Sequence, residues 1–192
     1  MKSLTITATL LSTITFIAQA EINVVASVKP VHSLVSAVME GIGVPDLIVK
    51  GAASPHTYAL KPSQAEQIEK ADLVFWMGHS LETFLEKPLE ALATKAMVVE
   101  LMDSEGLKKL KMREGGGFDD HDHDEHDDHD EHDEHDEHSK ESHDEHGHGE
   151  FDVHVWLDPE NAKVMANEIM EALKKVDPGN AKKYETNTKK IV

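Results

Sequence analysis

The 192-residue sequence contains no cysteine. That removes cysteine-based zinc fingers, thiol catalysis, disulfide frameworks and a lipid anchor on cysteine. It leaves the redox compartment open, since a chain without thiols suits either. Basic residues are scarce as well: 19 Lys and Arg stand against 37 Asp and Glu, a formal charge of −18. With no basic face to release counterions from phosphates, a nucleic-acid partner is disfavoured, and so is an anionic membrane surface. No H-E-x-x-H motif and no nucleophile–base spacing occur, which disfavours a zinc hydrolase or any other enzyme. After the N-terminus, no apolar stretch approaches the ~20 residues that span a bilayer, so the mature chain is not expected to insert into a membrane.

What is present begins with the N-terminus. Lys2 supplies a short positive start, residues 4–17 are largely apolar, and Ala18-Gln19-Ala20 forms an A-x-A cleavage signal before Glu21. This pattern reads as a secretory signal peptide over residues 1–20, cut after Ala20, and it places the mature protein outside the cytoplasm.

The negative charge is concentrated in one segment. Residues 119–150 hold 17 acidic residues and one basic residue, Lys140, which is −16; the rest of the chain holds 20 acidic and 18 basic residues, which is −2. Ten of the 14 histidines lie in the same segment: His121, His123, His126, His129, His132, His135, His138, His143, His146 and His148. Gly115-Gly116-Gly117 announces it, and residues 119–148 contain no Val, Ile, Leu or aromatic residue, so no core can form there and the insert is expected to be disordered. Neutral imidazole is a favoured ligand of Zn, Cu and Ni, and carboxylates add hard oxygen and negative potential. A histidine every third residue does not mark one face of a helix. The reading is therefore many interchangeable metal sites that order locally on binding, not one fixed row of ligands. An acid run alone would be a solvated linker; the histidines turn the reading towards metal.

On either side of the insert the chain has the pattern of a folded α/β unit. β-branched and apolar runs predict strands over 22–28, 46–50, 72–77 and 96–102, with a further short strand over 153–157. Helical periodicity predicts helices over 31–40, 62–71, 80–93 (with Pro88 kinking or splitting it) and 159–176, the last opened by Pro159. Residues 180–192 are polar and helical in character. Strands alternating with helices predict a four-stranded, mostly parallel sheet flanked by helices.

Four histidines lie outside the insert. His56 sits in the loop Ser54-Pro55-His56-Thr57-Tyr58 after a predicted strand, and in open α/β sheets ligands bind at such carboxyl-end loops. His154 opens the predicted strand that follows the insert. His79, in the turn after the third strand, is a further candidate ligand, while His32, early in a helix, is read as structural.

Three stretches carry a family resemblance: GAASPHTYALKPS at 51–63, DLVFWMG at 72–78 with Leu81-Glu82 following, and DVHVWLDP at 152–159. They resemble the metal-binding components of bacterial ABC importers for zinc and manganese, and the His- and acid-rich insert before the last motif resembles the zinc-specific, periplasmic branch. The resemblance covers essentially the whole mature chain. It implies two α/β lobes joined by one long helix, with one metal held in the cleft. His56 and His154 would be ligands from the N-terminal lobe, and the remaining ligands would come from a C-terminal lobe. This sequence is expected to hold the N-terminal lobe only, ending at Val192 inside the linking helix. The organisation expected is a signal peptide (1–20), N-terminal lobe (21–114), insert (115–150), the end of the lobe as a strand and a helix (151–176) and the start of the interlobe helix (177–192). The implied function is capture of Zn2+ and its delivery to an inner-membrane ABC permease by a monomeric periplasmic protein. The alternatives are a manganese-binding sibling and a zinc buffer or chaperone acting through the insert.

Overall fold

The structure, a computed structural model, describes residues 22–112 and 151–192. The predicted signal peptide and the ten insert histidines lie outside the described residues.

Four strands form one sheet in the order β2-β1-β3-β4, every neighbouring pair parallel. They are β1 (Val24–Ala26), β2 (Asp46–Leu47), β3 (Leu73–Trp76) and β4 (Met97–Glu100). The register pairs Val25 with Asp46, Val25 with Val74, and Trp76 with Glu100. A parallel sheet needs helical cover, so its central strands read as unbroken apolar runs; β1 and β3 are buried at every position. Strand β2 has only two residues, yet Ile48 and Val49 still donate their N–H groups to the carbonyls of Ala26 and Ser27 at 3.0 and 2.9 Å.

Among the described residues five α-helices accompany the sheet: α1 (Lys29–Val38), α2 (Pro62–Lys70), α3 (Thr83–Leu92), α4 (Pro159–Val176) and α5 (Ala181–Thr188). Helices α1, α4 and α5 pack together, and α2 packs on α3. Proline in the first turn of α1, α2 and α4 fits a position whose N–H has no helical partner. Helix α3 runs through Pro88 without splitting. Helix α4 is capped by Asp158, whose side chain accepts the Glu160 N–H at 2.9 Å, and it buries Met165, Ala166, Ile169, Ala172 and Leu173. Helix α5 is tied back to the body: the Asn187 amide donates to the carbonyls of Val38 and Glu40, and the Tyr184 hydroxyl donates to Asp177 at 2.7 Å.

The strand predicted over 153–157 is not there. Lys111 and Phe151 make one isolated antiparallel bridge, and the chain then curls into a 3-10 turn over Val155–Leu157. The Asp152 carboxylate captures the His154 N–H at 2.9 Å, and the His154 carbonyl accepts from the Leu157 N–H at 3.1 Å. These local bonds replace ladder bonds. The alternating Val153, Val155 and Leu157 look like a strand face, but Leu157 is 76% exposed while the two valines are buried.

Candidate metal centre

The carboxyl end of the sheet presents loops from β1, β2 and β3. His56 stands in the loop after β2, within a 3-10 turn over Pro55–Thr57. Its N–H donates to the Ser54 hydroxyl at 3.3 Å, a capping bond that Pro55 complements by fixing the first turn. The far side of this loop is locked by Gln64, which is 4% exposed. Its amide donates to the Ile48 carbonyl at 2.6 Å and the Tyr58 hydroxyl at 2.8 Å, while its carbonyl accepts the Lys61 N–H at 2.9 Å.

His154 arrives from the opposite direction, on the turn before α4. Its Nδ1 lies 2.7 Å from the Asp152 Oδ1. A carboxylate only accepts, so the ring donates from Nδ1 and its Nε2 lone pair is left for another partner. The two bonds from His154, backbone first and side chain second, hold the Asp152 carboxyl below the usual carboxylate range. Asn161 fixes the base of this turn from α4: its amide donates to the carbonyls of Lys108 and Val155 at 2.9 and 3.1 Å, and its oxygen accepts the Lys108 N–H at 2.8 Å.

The two histidines meet. Their ring centroids are 5.7 Å apart and their planes are inclined at 52°. Two imidazoles bound through ~2.1 Å bonds to one tetrahedral ion have centroids roughly 5 Å apart, a spacing near the one observed. Both rings line a cleft of about 300 Å³ walled by Val28, Lys29, Pro30, Val49, Ala53 and Pro55, with Trp156 edge-on to His154. Mostly apolar walls with a few polar groups are the usual lining of a ligand site. Among the described residues no group of three or more His, Asp or Glu side chains is arranged to hold an ion; the candidate donors in the cleft are a pair.

His79 takes no part in lining the cleft. It is largely exposed, and its Nδ1 lies 3.4 Å from Glu100 Oε1, whose carboxyl is pushed up by burial and then by Asp103. His32 is structural in the way expected, with Nε2 3.0 Å from the Pro45 carbonyl. Asp152, Trp156, Gln64 and Asn161 were not singled out from the sequence. For Asp152 a signal existed in the D-x-H spacing, which lets a carboxylate reach the following histidine; nothing in the sequence marks Asn161 as buried.

A parallel α/β unit with paired imidazoles at its carboxyl edge has the architecture of a metal-binding solute-binding protein. The fold matches the Mn-bound periplasmic metal binding protein of Candidatus Liberibacter asiaticus with TM-score 0.63 at 21% identity, over 88% of this chain and 51% of that one. It also matches Zn(II)-bound AdcA from Streptococcus pneumoniae with TM-score 0.62 at 21% identity, over 88% of this chain and 29% of that one. Residues 24–192 match the family ZnuA, zinc-uptake complex component A periplasmic, and the chain belongs to that family. The high-affinity zinc uptake system protein ZnuA of Brucella abortus (strain 2308) is 57% identical over 175 residues, covering 86% of this chain and 52% of that protein. The chain thus spans about half the length of the curated relatives it matches.

Proposed function

We propose that this chain captures Zn2+ in the periplasm, as the solute-binding part of a high-affinity zinc importer, and hands it to an inner-membrane ABC permease. The observation that carries the proposal is the meeting of His56 and His154 at 5.7 Å across the cleft. One ring is held in its ligand tautomer by Asp152, an arrangement that orients a metal-binding imidazole and raises its basicity. Family membership supports the zinc assignment. So does the donor chemistry, because imidazole suits zinc whereas manganese favours carboxylate-rich sites.

In this reading the protein is a monomer secreted by residues 1–20, and it makes and breaks no covalent bond. Zinc trades water for neutral imidazole nitrogen, and protons leave whichever histidines were charged. His56 and His154 leave about two positions of a tetrahedral ion for further donors. The insert histidines bind further zinc, to collect, buffer or sense it, without forming the tight site. Native mass spectrometry with zinc on the intact chain and on a chain lacking residues 118–149 tests this. One tightly held ion that survives the deletion is the expected result; loss of all tight binding would move the function to the insert.

A further inference from the structure

Glu82 has no solvent exposure. It stands just before α3, and its carboxylate gathers donors from two strand ends. The Ser27 hydroxyl donates to Oε1, and the N–H groups of Met77 and Gly78 donate to Oε2, each at 3.0 Å. All these donors are uncharged. The charged side chain acting on Glu82 is Glu100, at the end of β4, with His79 beside it. A buried carboxylate with no cation is expensive to keep, but no neutral side chain of that size offers as many acceptor sites.

Ser27 is the link to the cleft. It continues β1 by one residue, donating its N–H to the Phe75 carbonyl at 3.0 Å and accepting the Val49 N–H at 2.9 Å. Val28, Lys29 and Pro30 follow it directly, and all three line the cleft together with Val49. Gly78, with φ +136°, lets the Glu100 carboxyl lie where a Cβ would stand, so the backbone amides at the end of β3 stay turned towards Glu82.

We propose that Glu82 is a positioning residue for the His56–His154 cleft: through the Ser27 hydroxyl, its buried carboxylate fixes the β1–α1 turn that forms one wall of the cleft. The proposal rests on the reading of that cleft as a zinc site. Burial, reinforced by Glu100, pushes the Glu82 carboxyl up to about 7 against the pull of its three donors. Above that value the carboxylate accepts the Ser27 proton. Below it the new carboxyl proton faces amides that can only donate, so it must turn to the Ser27 oxygen and reverse that bond. The wall of the cleft is then held differently on the two sides of neutrality.

The test is zinc affinity of the full chain at pH 6 and pH 8, by competition with a chromophoric chelator, for wild type, Glu82→Gln, Ser27→Ala and His56→Ala/His154→Ala. At pH 8, Glu82→Gln is expected to weaken the tight site about tenfold, the size typical of residues that orient metal ligands. Ser27→Ala is expected to weaken it in the same direction, and Glu82→Gln also to flatten the change in affinity between the two pH values. Insert histidines contribute equally to wild type and variants, so the differences report the cleft. If Glu82→Gln fails to fold, Ser27→Ala decides. Wild-type affinity and pH profile in both variants, even with a lowered melting temperature, would overturn the proposal. Tight binding retained by His56→Ala/His154→Ala would instead overturn the cleft reading, and the proposal with it.

Discussion

The carboxylate of Asp152 holds both the backbone N–H and the ring Nδ1 of His154, at 2.9 and 2.7 Å. One oxygen therefore sets where the histidine sits and which nitrogen it offers. Asp152→Asn keeps the shape but weakens the acceptor and admits the wrong tautomer. Zinc affinity is expected to fall roughly 10- to 100-fold, with little change in melting temperature because the side chain is half exposed. Isothermal titration of the variant with zinc checks this; unchanged affinity would mean that the ring is oriented by packing on Trp156.

Asn161 joins three segments with three bonds and is 2% exposed. Asn161→Ala strands the Lys108 N–H and two carbonyls. A loss of about 2–4 kcal/mol is expected, since each buried polar group left without a partner costs about 1–3 kcal/mol and some will find water. Urea unfolding of the metal-free protein measures it, and a loss below about 1 kcal/mol would show that the turn before α4 is held by other means.

The carboxyl of Glu82 is raised from an ordinary 4.5 to about 7. A raised acid binds more protons folded than unfolded. Its contribution to stability is therefore complete below about 4.5 and fades as pH rises through about 7. From pH 5 to pH 8 the wild type is expected to lose stability relative to Glu82→Gln by an amount on the order of 3 kcal/mol. Parallel urea curves for the two proteins at both pH values would contradict the shift.

The insert supplies a prediction from sequence alone. Imidazoles with ordinary pKa values near 6.5 become charged as pH falls. The zinc capacity of a peptide spanning residues 115–150 is expected to collapse between about pH 7 and pH 5. Capacity retained at pH 5 would assign the ions to carboxylates.

Much of the scaffold is legible in the sequence because its signals are local. The apolar runs of β1 and β3 and the proline that opens α4 lie near the residues they order. His56 and His154 are legible as candidates through their motifs. What escapes is decided between distant segments or by side-chain capture of the backbone. Residues 153–157 alternate like a strand, yet among the described residues no strand pairs with them, and the Asp152 carboxylate bends them into a turn. Glu82 enters the sequence reading only within a motif; its burial is set where the ends of β1 and β3, more than 45 residues apart in sequence, meet. His79 sits at the expected end of the sheet, but Glu100 from the neighbouring strand pairs with it outside the cleft.

The central claim is that His56 and His154 hold one zinc ion between them. Isothermal titration of zinc into wild type and His56→Ala/His154→Ala, at pH 7.5 or thereabouts, where imidazole is mostly neutral, tests it most directly. The expected result is one tight site in the wild type and none in the variant, with the weaker insert sites unchanged in both. Equal tight-site stoichiometry in the two proteins would contradict it.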